Sequence, residues 1–163
     1  MGGNGVSGRV AAVSLNHVSV CADDMEASIA FYADLFGAEP IPTPNFGYPV
    51  QWLRLGDRQL HLFDRPEEPR KYSHFGITVE DINPVYEKAR ARDAFDRETG
   101  GHHLYELPGD CVQLYLRDPH GNFVEADAQG VDRLSPEVRA DMQRLGDRCP
   151  QSAENLRATL FLH

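Results

Sequence analysis

The chain has 163 residues, of which 25 are acidic and 16 are basic, so its formal net charge is −9 at pH 7. This charge argues against nucleic acid and anionic membrane surfaces as partners, because both require a basic face. Hydrophobic residues make up 41% and charged residues 25% of the chain, which is typical of one globular domain. A membrane-spanning helix needs about 18 apolar residues in a row, and no apolar run in the sequence is close to that length.

The first half of the chain predicts one helix and four strands. Residues 1–13 are rich in glycine and serine, and we expect a disordered tail there. The predicted strands that follow are residues 15–20, 38–46, 50–55 and 58–63. The helix lies after the first strand, where Asp23 and Glu26 have the spacing of a capping box and Gly37 is a typical helix stop. Gly56-Asp57 predicts a tight hairpin turn between the last two strands.

The same order of elements then occurs again. Asp81 is placed to cap a second helix. The predicted strands around this helix are residues 74–79, 95–107, 111–116 and 122–127. The chain therefore predicts an α+β fold of two βαβββ modules, at about residues 14–64 and 73–128.

The composition changes after the second module. Residues 129–163 are polar, and Ser135 and Ser152 each have the position of a helix N-cap. We expect a helical C-terminal extension that is an accessory or interface element, closing a cavity or clamping a dimer, rather than part of the core.

Three cysteines, Cys21, Cys111 and Cys149, show no CxxC pairing and are odd in number. Free thiols are typical of a reducing compartment, so we expect a cytoplasmic protein.

Alternation along the strands gives each strand one apolar face and one polar face. The polar faces carry three histidines and a glutamate near the strand centres: His17, His61, His74 and Glu125. Solvent exposure accounts for an ordinary lysine or threonine at such positions, and any single histidine among them is more often structural. The four together indicate that the polar faces line a cavity.

Three imidazoles and one carboxylate form a suitable ligand set for a divalent first-row metal. The repeat makes them equivalent in pairs, since His17 and His74 lie on the first strand of each module and His61 and Glu125 on the fourth. A pseudo-twofold axis between the modules would bring them together. We therefore predict a metal site for Ni, Co, Mn, Zn or Fe.

Three stretches, LNHVSVCADDMEASIAFYADLFG, SHFGITVEDI and LYLRDPHGNFVEAD, resemble the vicinal oxygen chelate superfamily. This superfamily includes glyoxalase I, methylmalonyl-CoA epimerase, fosfomycin-resistance thiol transferases, extradiol dioxygenases and bleomycin-resistance proteins. The resemblance covers about residues 14–128 and implies paired modules that form a cupped mixed sheet around a metal. It also implies a homodimer, and a metal that polarises two neighbouring oxygens of a small substrate and stabilises an oxyanion.

The resemblance leaves the reaction open. The stretch from Tyr115 to Glu125 fits the end of the extradiol dioxygenase pattern, but the histidine expected before Leu114 is absent and Glu106 stands in that region. The fosfomycin-modifying branch needs only three protein ligands, which leaves His61 unexplained. Four ligands are more typical of glyoxalase and the epimerases, where a glutamate or glutamine normally fills the position of His61.

Our leading hypothesis is lyase or isomerase chemistry based on proton transfer. Glu125 is the first candidate for the base and Glu106 the second, and Tyr115 is a candidate hydrogen-bond donor to the substrate. We expect His102 and His103, in a Gly-Gly loop, to be solvated. The alternatives are an Fe(II) extradiol-type dioxygenase and a metal-free binding protein that sequesters a drug or metabolite. An aromatic groove for the latter could come from Phe46, Tyr48, Trp52 and Phe63, which otherwise suit a core or a dimer contact.

Overall fold

A computed structural model of the protein describes residue 12 and residues 14–160. The tail predicted for residues 1–13 lies outside the described residues except for Ala12. No helix within the described part of the chain combines the length and apolar character needed to cross a bilayer.

The first module has the predicted order of elements. They are β1 (His17–Cys21), α1 (Met25–Phe36), β2 (Glu39–Ile41), β3 (Val50–Leu55) and β4 (Arg58–Phe63). The sheet order is β1-β4-β3-β2, in which β1 runs parallel to β4 and the other pairs are antiparallel. Gly56 has φ of 58° in the two-residue turn between β3 and β4, a left-handed conformation that glycine adopts without strain.

The start of α1 differs from the prediction by one residue. Asp24, rather than Asp23, is the N-cap, and its carboxylate accepts a hydrogen bond from the Ala27 amide at 2.9 Å. Asp23 instead pairs with Nδ1 of His120 at 2.8 Å, a contact with the second module that local spacing cannot indicate. Gly37 ends the helix as predicted, in the left-handed conformation.

The second module repeats this order. Its elements are β5 (His74–Thr78), α2 (Ile82–Ala91), β6 (Leu104–Leu107), β7 (Cys111–Arg117) and β8 (Phe123–Gln129). Asp81 caps α2 as predicted. The strand predicted at 95–107 is only partly correct, because regular pairing is limited to β6 and Phe95 forms a single bridge to Leu116.

The core lies between the two helices and the apolar faces of the sheets. Large side chains that are almost fully buried there are Phe31, Tyr32, Leu53, Leu60, Leu62, Leu114 and Leu116. The opposite faces carry the polar residues, as the alternation predicts. The predicted α+β fold of two βαβββ modules is therefore confirmed.

The C-terminal segment is more closely integrated than expected. It contains α3 (Pro136–Asp141), β9 (Gln143–Arg144) and α4 (Leu145–Arg148). Ser135 caps α3 as predicted, whereas the helix predicted to start at Ser152 is a single 3₁₀ turn, Asn155–Arg157. The expectation that this segment lies outside the core is wrong, because Leu134 and Val138 are buried in the core. In addition, β9 pairs in parallel with β6 and extends the second sheet to the order β5-β8-β7-β6-β9.

Candidate metal centre

The two modules present their predicted ligands in the same register. In the first sheet Ser19 on β1 lies opposite His61 on β4, and in the second Gly76 on β5 lies opposite Glu125 on β8. His17 and His74 each precede these paired residues by two positions, so each shares a strand face with them. The structure thus forms two equivalent pairs, His17 with His61 and His74 with Glu125.

The first pair is a stack of aromatic rings. The His17 and His61 rings have centroids 4.3 Å apart and lie within 14° of parallel. The indole of Trp52 stacks on His61 at 4.4 Å. Burial, and then the neighbouring His17, lower the pKa of His61. The His61 ring is therefore held neutral, the form in which imidazole binds metals.

Each ring of this pair has one nitrogen anchored. His17 donates from Nδ1 to the side-chain oxygen of Asn16, and His61 donates from Nε2 to Oε1 of Gln59 at 2.9 Å. A neutral imidazole that donates from one nitrogen keeps a lone pair on the other. Nε2 of His17 and Nδ1 of His61 are accordingly the atoms available to a metal.

In the second pair, too, each side chain has one polar atom held by a hydrogen bond. Nε2 of His74 lies 3.6 Å from Oε2 of Glu125. The other ring nitrogen of His74 donates to the backbone oxygen of Tyr72 at 3.0 Å, and Oε1 of Glu125 accepts from the Gln113 amide at 2.8 Å. Such outer hydrogen bonds fix the tautomer and the direction of metal ligands.

Tyr115 reaches this pair indirectly. Its hydroxyl donates to Oε1 of Gln113 at 2.9 Å, so it orients the amide that holds Glu125. Burial, and then the charge of Glu125, raise the pKa of Tyr115 well above its usual value, so the hydroxyl remains a donor. The predicted bond from Tyr115 to a substrate oxygen would require this contact to Gln113 to break.

Asp127 is a site residue that the sequence analysis missed. It is only 2% exposed and follows Glu125 by two positions on β8, so strand alternation could have indicated it. Burial raises the pKa of Glu125, partly offset by a hydrogen bond with Asp127. Burial, and then the charge of Glu125, raise the pKa of Asp127 to about 8. The two carboxyls therefore retain a proton near neutral pH.

One cavity is lined by one histidine of each pair. His17 and His74 line a cavity of about 670 Å³ between β1 and β5, together with Gln59 and Gly76. The four predicted ligands are not drawn into a single cluster within the chain. Among the residues the structure describes, one group of three or more His, Cys, Asp or Glu has ligand atoms within 4.8 Å of one another, and it is His102, His103 and Asp141.

The remaining candidates from the sequence have other partners. Glu106, the second candidate for the base, forms an ion pair with Arg144 at 3.0 Å. The expectation that His102 and His103 are solvated is wrong for His103, which is 2% exposed. The loop that carries both histidines packs against the C-terminal segment, which covers it.

Comparison with known proteins gives three informative relatives. Methylmalonyl-CoA epimerase of Mus musculus is 39% identical over 119 residues, covering 60% of this chain and 67% of the relative. Metallothiol transferase FosB of Lysinibacillus sphaericus is 27% identical over 130 residues, covering 69% and 79%. The fosfomycin resistance protein FosX of Listeria monocytogenes, solved with Mn(II) and sulfate, has a TM-score of 0.57 at 15% identity, covering 80% of this chain and 99% of that one; this likeness concerns the fold.

The match to a family is broader than any of these pairwise alignments. The sequence model of the Glyoxalase/Bleomycin resistance protein/Dioxygenase superfamily matches residues 14–126. This range begins just before β1 and ends within β8, so it takes in both modules and the two ligand pairs. The strands of both modules lie within the matched range or extend just past its end. The chain therefore belongs to the glyoxalase/bleomycin resistance protein/dioxygenase superfamily.

Proposed function

We propose that this chain is a divalent-metal-dependent enzyme that binds neighbouring oxygens of a small substrate and transfers a proton, in epimerase- or lyase-like chemistry. The single observation that carries the proposal is the orientation of the second pair. Nε2 of His74 and Oε2 of Glu125 face each other at 3.6 Å, while their other polar atoms are bonded elsewhere. Two free donor atoms held in this way suit a shared cation.

The ligand types fit such a cation, and within the chain they form two separate pairs. The proposed ligands are His17, His61, His74 and Glu125. Each of them has one polar atom anchored by a neighbouring amide, carbonyl or side-chain oxygen of the described chain, which leaves its second polar atom as the proposed ligand atom. Three imidazoles and a carboxylate suit Ni, Co, Mn, Zn or Fe. A metal bound there would act as a Lewis acid on the substrate oxygens.

The proton-transfer step is assigned to the second module. Glu125 receives the substrate proton at its carboxylate, and the hydrogen bond from Gln113 holds that carboxylate in place. Tyr115 keeps Gln113 in position. In the first module the indole of Trp52 covers one face of His61. The second module thus supplies the base, and the first supplies an aromatic cover for one proposed ligand.

The alternative functions have weaker support. An extradiol-type dioxygenase needs a histidine as acid–base group, and the candidates His102 and His103 are hydrogen-bonded to Asp141 instead. A metal-free binding protein has no need for anchored ligands, yet all four candidates are anchored. Trp52, one of the aromatic residues that could form its groove, is instead stacked on the proposed ligand His61.

We further propose a homodimer in the cytoplasm. Phe46 and Tyr48 are 44% and 37% exposed and lie beside Trp52 and Phe63, and an exposed aromatic cluster of this kind suits an interface. Cys21, Cys111 and Cys149 are free thiols, which favours a reducing compartment. Sedimentation of Phe46→Ser protein should show a monomer if this cluster forms the dimer contact.

The test combines metal content with proton exchange. Purified protein is loaded in turn with Ni, Co, Mn, Zn and Fe(II) and incubated in D₂O with methylmalonyl-CoA, the substrate class named for the mouse relative. We expect deuterium to enter the substrate with at least one metal, and Glu125→Gln to abolish the exchange. Glu106→Gln is the matched control, since Glu106 bonds Arg144, and should retain it.

The outcome that overturns the proposal concerns the metal. His74→Ala should lower the affinity of the protein for every metal that supports exchange. Wild-type protein that binds none of the five metals, or that loses no molar equivalent of metal after His74→Ala, would refute a metal centre here. Oxygen uptake with catechols on Fe(II) loading would favour the dioxygenase alternative.

A further inference from the structure

A second cluster of potential ligands lies where the C-terminal segment meets the second module. His103 donates from Nε2 to Oδ2 of Asp141 at 2.8 Å. His102 donates from Nε2 to the backbone oxygen of Asp141 at 2.6 Å, and the same nitrogen lies 3.9 Å from its Oδ1. The ligand atoms of all three residues lie within 4.8 Å of one another. This cluster shares no residue with the metal centre proposed above.

The cluster has a negative charge without a matching cation. The carboxylate of Asp141 accepts hydrogen bonds from His103 and from the Tyr86 hydroxyl at 2.6 Å. Within the described chain no lysine or arginine forms an ion pair with Asp141. The other nitrogen of His103 is buried and has no hydrogen-bond partner among the described residues. Two imidazoles and a phenol therefore surround a carboxylate, and a bound cation would complete this arrangement.

We propose that His102, His103 and Asp141 bind a divalent transition metal, with Zn²⁺ as the occupant. Two imidazole nitrogens and a carboxylate are typical zinc ligands, and water would take the fourth position. Bonds of about 2.0–2.2 Å in a tetrahedral site place neighbouring ligand atoms about 3.4 Å apart. The distances of 2.8 and 3.9 Å from the carboxylate oxygens to the imidazole nitrogens lie on either side of that value. Small side-chain shifts thus convert the hydrogen-bonded cluster into a zinc site.

Solvent reaches the cluster, and the position of His103 within it is fixed by packing. The side chains of Asp141 and His102 are 36% and 16% exposed, which provides an entry path for the ion. His103 is fixed by stacking on Phe95 at 4.0 Å. On binding, each neutral ring exchanges its Nε2 proton for one on Nδ1 through solvent, so that the ring stays neutral and its Nε2 lone pair binds the metal.

The position of the ligands gives the metal a structural role. His102 and His103 immediately precede β6, whereas Asp141 is the last residue of α3, 38 positions beyond His103. A metal bridging them joins the C-terminal segment to the second module. Because the unfolded chain lacks the site, binding stabilises the segment in its docked position.

The experiment is a Co²⁺ and Zn²⁺ titration in a protein that also carries His17→Ala and His74→Ala, so that the other proposed centre is removed. We expect this parent to bind one molar equivalent, with the visible absorption of tetrahedral Co²⁺ and its displacement by Zn²⁺. His102→Gln and Asp141→Asn should each lose that equivalent. Hydrogen exchange of residues 136–141 should slow on adding Zn²⁺ to the parent and stay unchanged in the two variants.

His120→Gln is the matched control. His120 also pairs with an aspartate, Asp23 at 2.8 Å, but no third ligand group completes a site there in the described chain. This variant should bind metal like the parent. Far-ultraviolet circular dichroism checks that His102→Gln and Asp141→Asn are folded. A parent that binds no equivalent, or variants that bind with unchanged stoichiometry, would refute the site.

Discussion

A Cβ atom at Gly76 would lie 3.0 Å from Oδ2 of Asp127 and 3.5 Å from Oε1 of Glu125. Glycine at this position of β5 therefore leaves room for two carboxyls that face it from β8. The close approach of the backbone to both side chains is one of the common reasons for a glycine inside a strand.

Gly76→Ala should destabilise the protein by about 1–3 kcal/mol, because the added methyl group pushes on buried carboxyls. It should also weaken metal binding by displacing Glu125. Urea unfolding measures the first effect and metal titration the second. In an Asp127→Ala background the same change should cost much less, and equal costs in the two backgrounds would show that Asp127 is not the obstacle.

A second prediction concerns acid stability. Burial alone would raise the pKa of Asp96, but hydrogen bonds from Thr99 and Arg117 outweigh it and lower the pKa. A lowered folded-state pKa stabilises the protein above the usual value of 3.8, and this contribution disappears as the pH falls through the folded-state pKa. Asp96→Asn should therefore cost about 2–4 kcal/mol at pH 7.

The cost of Asp96→Asn should shrink when the pH is lowered well below 3.8. Urea midpoints of both proteins at neutral and acid pH provide the measurement. A difference that is independent of pH would show that the carboxylate charge plays no part in this stabilisation.

Trp52 offers a direct report on the proposed metal centre. It is the single tryptophan of the chain, and its indole is stacked on His61. Zn²⁺ binding to His61 would place a positive charge beside the indole, so the fluorescence of Trp52 should change on titration. The change should be absent in His17→Ala protein and unaffected by His102→Gln. An unaltered emission spectrum at saturating metal would argue that His61 is not a ligand.

The C-terminal segment gives a fourth prediction. Val138 in α3 is completely buried, so Val138→Ala should cost about 2 kcal/mol through lost burial and the cavity left behind. Leu156→Ala, which changes a larger residue that is 59% exposed, should cost less than about 0.5 kcal/mol. Thermal unfolding compares the two. Equal effects would mean that the segment does not contribute its side chains to the core.

Much of the fold could be predicted from local sequence patterns. Alternation along the strands and the caps at Asp81 and Gly37 depend on neighbouring residues only, and they gave the repeated order of elements correctly. Asp24 was missed as the cap of α1 because the deciding contact, between Asp23 and His120, joins residues far apart in the chain.

The candidate site, too, could be predicted where it depends on local sequence and was missed where it depends on contacts between distant residues. Strand alternation brought out His17, His61, His74 and Glu125. The same alternation puts Asp127 on the face of Glu125, but nothing local shows that this aspartate is buried, and it was missed. The bond of His103 to Asp141 spans 38 positions and depends on how the C-terminal segment packs. Periodicity cannot reveal such a contact, so the histidines before β6 were wrongly expected in solvent.

The equal register of the two modules has a stereochemical consequence. Ser19 lies opposite His61 and Gly76 lies opposite Glu125, yet the first pair of proposed ligands consists of two imidazoles and the second of an imidazole and a carboxyl. In the proposed metal centre, a substrate between the two pairs would meet a carboxylate on one side only. A backbone that is nearly symmetric thus carries different side chains in its two halves, and under the proposed function this difference would let the protein distinguish the two faces of a prochiral carbon.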